Sequence, residues 1–74
     1  MSQIRLKRYV EYFVACVSEF AQAYGLTHPD AFDYLERYRG FEFLEQHYEA
    51  EHLLSFRDAV NDLAAICRKN GGRL

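Results

Sequence analysis

Apolar residues recur at three- and four-residue spacing along most of the chain, with polar residues between them. The first run is Leu6, Tyr9, Val10, Phe13, Cys16, Val17, Phe20 and Tyr24. That spacing predicts a helix over residues 3–24, with Ser2 placed to cap it. Ile4, Tyr12, Val14 and Ala21 widen the apolar stripe beyond one face. A helix apolar over so much of its circumference is central to its fold or forms half of an oligomer interface. Gly25 should end it, since glycine takes the left-handed C-cap conformation without penalty.

Thr27-His28-Pro29-Asp30 opens a second helix, expected over 28–39. Threonine can cap it, proline loses no donor in the first turn, and Asp30 suits the positive end of the helix dipole. Ala31, Phe32, Leu35 and Tyr38 should face inward, and Gly40 should stop the helix. A third helix is expected over 41–50, with Phe41, Leu44 and Tyr48 on its inner face. Glu42, Glu45 and Glu49 then line up outside at spacings of three and four, and Phe43 falls off the inner face. Ser55-Phe56-Arg57-Asp58 is a second capping signature. It opens a helix over 56–69 with Phe56, Ala59, Val60, Leu63, Ile66 and Cys67 inward. Asn70-Gly71-Gly72 is a stop signal, and Arg73 and Leu74 should fray. No alternating strand pattern or repeat interrupts this series. The expectation is one all-α domain over 1–74, a compact small bundle of about four short helices.

Length and composition narrow the class. The chain has 74 residues, half of them apolar and 16% aromatic. That suits a compact core and excludes a disordered chain. No apolar run approaches membrane-spanning length, and the basic N-terminus lacks the features of a signal peptide. A cytoplasmic protein is therefore expected. Cys16 and Cys67 lie one in each terminal helix and read as small core residues of a reducing compartment. A disulfide would need those helices to touch, in a compartment that no export signal supports.

The formal charge of −2 hides an asymmetry. All eleven acids fall between Glu11 and Asp62, against Arg37, Arg39 and Arg57, whereas Arg5, Lys7, Arg8, Arg68, Lys69 and Arg73 hold the ends. An acidic middle of this kind fits a basic partner as well as simple solubility.

Candidate chemistry is sparse. His47, Glu49, Glu51 and His52 suggest a metal site, but the wider His–Glu pattern of zinc helices is missing, so no metal and no cofactor is expected. The serines lack a base at hand and the chain is small for a pocket, so an enzyme is not expected. The second and third helices could be mistaken for a helix-turn-helix. Yet Phe41 to Glu51 carries four glutamates and no Lys or Arg, so nucleic acid is a poor fit. Twelve aromatic residues remain, more than so small an interior should hold. Tyr12, Tyr34, Tyr38 and Phe43, beside Glu42, Glu45, Glu49 and Glu51, are the candidate partner-binding surface. His52 is assigned a structural role, fixing the turn before the last helix. One rival reading is self-association, with the broad apolar face of the first helix, including Tyr12 and Val14, as the seam of a homodimer; a second is a DNA-binding regulator of its own gene module, which steeply salt-dependent DNA affinity would support.

The segment Tyr48-Glu49-Ala50-Glu51-His52-Leu53-Leu54-Ser55, followed by Asp58-Ala59-Val60-Asn61-Asp62-Leu63, resembles a family of short bacterial proteins, the domain-of-unknown-function family 3791. The resemblance runs from about Tyr9 to Ile66. Its motifs are not catalytic, and it supplies no catalytic residues to carry over. It implies an accessory or antitoxin-like protein, since the family is associated with small gene modules that also hold ADP-ribosyltransferase-like toxin domains. On that picture the row Glu42, Glu45, Glu49 meets basic residues of a toxin's nucleotide cleft, and reversing all three to Lys should abolish binding.

Overall fold

The computed structural model describes residues 3–74, so the Ser2 cap lies outside the described residues. The chain forms α1 (Gln3–Tyr24), α2 (His28–Arg37), α3 (Gly40–Gln46), α4 (Tyr48–Glu51) and α5 (Phe56–Lys69). Four of these have at least seven residues, and no strand occurs among the described residues. The fold is a small all-α bundle.

Two helix starts follow their local chemistry. The Thr27 hydroxyl accepts from the Asp30 amide at 3.2 Å, and the Ser55 hydroxyl accepts from the Asp58 amide at 3.1 Å. Each satisfies a donor that the first helical turn leaves without an intrahelical acceptor. Gly25 takes φ 64° just beyond α1, as a left-handed C-cap requires.

The core gathers Cys16 and Phe20 from α1, Leu35 from α2, Leu44 from α3, and Leu63 and Cys67 from α5, all fully buried. Ala31, Ala59 and Ala64 are buried between them and keep the helices close. Each large aliphatic or aromatic side chain here contributes about 2–3 kcal/mol through burial. Both cysteines are free thiols, and burial pushes each up to about 11.

The second boundary differs from expectation. α2 stops at Arg37, and the left-handed residue is Arg39, with φ 68°. For a non-glycine residue that conformation costs about 1–2 kcal/mol. The Arg39 guanidinium then folds back as a fork on Glu42, with both contacts at 2.8 Å. Gly40 is no stop signal but the first residue of α3, and it is buried. A Cβ there would lie 2.9 Å from Leu35 Cδ2, 3.2 Å from the Leu35 carbonyl oxygen and 3.4 Å from Cys67 Sγ. Glycine is needed at this point because three elements converge on its backbone.

The expected third helix is broken. His47 leaves helical geometry at φ −117°, ψ 22°, and separates α3 from the single turn of α4. The C-terminal residues do not fray as expected. Leu74 is half-buried and its amide donates to the Tyr34 hydroxyl at 3.1 Å, while Arg68 donates to the Leu74 carbonyl.

Several residues expected inward face solvent. Leu6 and Val10 are each 53% exposed, and Phe32 is 47% exposed. Phe56 is also exposed, and Ile66 only half-buried. For Leu6 and Val10 the cause is length. At 1.5 Å per residue α1 is about 33 Å long, against about 15 Å for α2 and about 21 Å for α5. The molecule measures 36 × 22 × 21 Å, so α1 sets its long axis. The shorter helices cover the C-terminal part of α1 and leave its first two turns bare.

Candidate partner-binding surface

The acidic row does not survive as one face. Glu42 is held by Arg39, whose guanidinium keeps its carboxyl below the usual carboxylate range. Glu49 accepts from Arg5 of α1 at 3.0 Å. Glu45 is exposed. Glu51, expected on the surface, is only 6% exposed. Glu51 lies seven residues after Leu44, two helical turns on, and like Leu44 it faces the body of the domain.

The four aromatic candidates serve packing. Tyr12 lies edge-on to Tyr48 at 5.5 Å between ring centroids and stacks with Phe56 at 6.1 Å. Its ring is half-buried and its hydroxyl is buried without a hydrogen-bond partner. Tyr34 stacks on Phe20 and lies tilted against Tyr38, and its hydroxyl accepts from the Leu74 amide. Asn70 donates to the Tyr38 carbonyl at 3.0 Å, tying the end of α2 to the end of α5. Phe43 is half-buried and packs on the His47 ring. None of these four stands free as an exposed ring.

His52 ends α4. Its ring lies parallel to Tyr48, 4.6 Å between centroids, and its Nδ1 is 2.6 Å from the Tyr48 carbonyl oxygen. A carbonyl can only accept, so Nδ1 carries the proton and donates. The ring thereby supplies a donor to a carbonyl at a helix end.

Glu51 marks a polar cluster inside the domain. Its Oε1 is buried without a hydrogen-bond partner, like the Tyr12 hydroxyl. Burial and the neighbouring Asp62 carboxyl push the Glu51 carboxyl up to about 7. Burial, and then contact with the Cys16 thiol, raise the Tyr12 hydroxyl. The four groups come from α1, α4 and α5.

The most ligand-like feature is a groove that the reading of individual residues missed. It has a volume of about 610 Å³ and runs between α1 and the start of α2. Val10, Val14 and Val17 form one wall, His28, Pro29 and Phe32 the other, and Tyr9, Phe13 and Phe41 the floor. The floor is a chain of ring contacts, Tyr9 to Phe13 at 4.7 Å, Phe13 to Phe41 at 5.9 Å and Phe41 to Phe32 at 4.9 Å. Val14 is 63% exposed at its rim. The polar groups of its lining are the His28 imidazole and the Tyr9 phenol. A contiguous apolar surface of this kind is what a protein partner covers. The signal in the sequence was the excess width of the α1 stripe, which could not say which part stayed uncovered.

A larger hollow between α2 and the C-terminal residues is lined by Asp30, Asp33, Glu36 and Arg37 with Tyr34 and Tyr38. It is open, of mixed charge, and brings no nucleophile to a base. No group of three potential metal ligands occurs among the described residues, and no described helix is long and apolar enough to cross a membrane.

The family model described as "Protein of unknown function (DUF3791)" matches residues 11–70. The chain belongs to the DUF3791 family. No curated protein and no solved structure matches it. The matched span takes in the groove walls and floor except Tyr9 and Val10, the Glu51 cluster and the whole core, and leaves the exposed first turns of α1 outside.

Proposed function

We propose that this DUF3791 protein is a small protein-binding module that docks a partner in the apolar groove between α1 and α2. The groove itself carries the reading: nine residues line it, most of them apolar, and Val10, Val14 and Phe32 are each about half exposed or more. Burying apolar surface at about 25 cal/mol per Å² is the main driving force available to so small a domain. The role needs no catalysis and no cofactor. An accessory or antitoxin-like role toward an ADP-ribosyltransferase-like toxin is the form of this reading that the family resemblance suggests. The geometry favours the groove over the acidic row as the docking face, because Glu42 and Glu49 already hold intramolecular partners and Glu51 is buried.

The test is a tagged pull-down from the native host at moderate salt, with mass spectrometry of the captured proteins. Wild type should bring down one stoichiometric protein. Val10→Glu with Val14→Glu should lose it, and reversal of Glu42, Glu45 and Glu49 to Lys should keep it. Loss on the glutamate reversal alone would move the docking face to the acidic row. Recovery of bait alone would remove a dedicated heterologous partner.

A further inference from the structure

We propose that a second copy of this chain covers the groove in solution, with the two α1 helices packed antiparallel about a two-fold axis near Val10. The inference rests on the groove reading above and names the occupant of the groove in the purified protein, which a host partner would displace.

The first support is the shape of the uncovered face. Leu6, Val10 and Val14 recur every four residues and are each more than half exposed, so they form a ridge along α1 beside the groove. In a two-fold arrangement a ridge on one copy can seat in the groove of the other, and the reverse contact follows by symmetry. The second support is charge. Lys7 and Glu11 flank the ridge, 3.8 Å apart and both well exposed. Antiparallel packing about Val10 brings Lys7 of each copy alongside the partner's Glu11, twice per dimer, while Leu6 approaches the partner's Val14. Parallel packing would instead set Arg5, Lys7 and Arg8 against the same three cations, at a Coulombic cost.

The third support is area. The accessible surface is 5195 Å² for 8.7 kDa, above the roughly 4,700 Å² expected of a folded monomer of that mass. Ridge and groove together run about 17 Å along α1 and about 20 Å across two helices. Such a footprint, about 340 Å², is less than half the standard ~800 Å² per partner, so the dimer that follows is weak and reversible, not obligate.

Sedimentation equilibrium from low micromolar to several hundred micromolar protein tests this directly. The mass should rise from that of one chain towards that of two. Val10→Glu with Val14→Glu should stay monomeric and melt like wild type, because both positions are exposed in the single chain. Lys7→Glu should weaken the dimer by about tenfold, and adding Glu11→Lys should restore it by exchanging the two signs. Orientation is read by oxidative cross-linking, for which the buried native thiols leave a low background. Val10→Cys lies on the axis and should form covalent dimers. Leu6→Cys should not, since the two introduced thiols would stand about 12 Å apart along the helix direction. A monomeric mass at every concentration, or a Val10→Glu/Val14→Glu variant that dimerises like wild type, overturns the proposal. Equal cross-linking at both positions overturns the antiparallel arrangement. A monomer that still loses its host partner on the same double substitution would leave the protein-binding reading intact and remove only the second copy.

Discussion

Glu51 offers the sharpest test of the interior. Its carboxyl is buried beside Asp62 and is pushed up to about 7 from an ordinary 4.5. A folded-state value above the unfolded one means that the folded protein binds the proton more tightly. The stability this lends is fully present below about pH 4.5, falls as pH rises from there, and is lost once pH passes about 7. At about 1.4 kcal/mol per pH unit the shift is worth up to about 3 kcal/mol. Asp62 contributes to the same electrostatic neighbourhood, so the full figure is an upper bound. A domain of this length has a total stability of only about 4–11 kcal/mol. The unfolding midpoint of wild type should therefore drop by about 10 °C between pH 5.5 and 8, given about 4–8 °C per kcal/mol at this size. Glu51→Gln cannot ionise. It should match wild type near pH 5, exceed it at pH 8, and show a flatter profile between. Asp62→Asn should flatten the profile too, by removing the neighbour that discourages ionisation of Glu51. Thermal melts followed by circular dichroism in buffers of constant ionic strength give the comparison. A wild-type midpoint that holds level or rises across this range, or a Glu51→Gln profile parallel to wild type, would refute the buried-carboxyl argument.

Further substitutions probe the packing. Gly40→Ala should destabilise by about 1–3 kcal/mol in urea titration, because its Cβ meets the Leu35 backbone and the Cys67 sulfur as well as a movable Leu35 methyl. Leu44→Ala removes a fully buried side chain from the middle of the core and should cost about 2–5 kcal/mol by the same assay. His52→Ala loses the donor to the Tyr48 carbonyl and should cost about 1 kcal/mol, with faster amide exchange confined to α4 and the turn after it. Tyr34→Phe removes the acceptor of the Leu74 amide, so hydrogen exchange at Leu74 should quicken while the global midpoint falls by no more than a few degrees.

The first, second and last helices were legible in the sequence, because local chemistry decides them. Thr27 and Ser55 carry their own acceptors, Gly25 its own conformational freedom, and the 3.6-residue period of Cys16, Phe20, Leu35, Leu63 and Cys67 marks the face that must leave water. Tertiary structure decided what that period cannot encode. Whether Gly40 ends a helix or begins one depends on Leu35 and Cys67 pressing against its backbone. Tyr12 and Tyr34 read as surplus rings until Tyr48, Phe56, Phe20 and the C-terminal Leu74 are placed around them. Glu51 read as one more exposed acid until the fold set it against Asp62, a neighbour eleven residues away, and buried it. The stripe on α1 showed that the helix buries much of its surface, but the extent covered by its own chain follows from the lengths and crossings of α2, α3 and α5. A one-dimensional period fixes which face of a helix is apolar. Only packing in three dimensions determines how much of that face stays open, and here the open part is the groove.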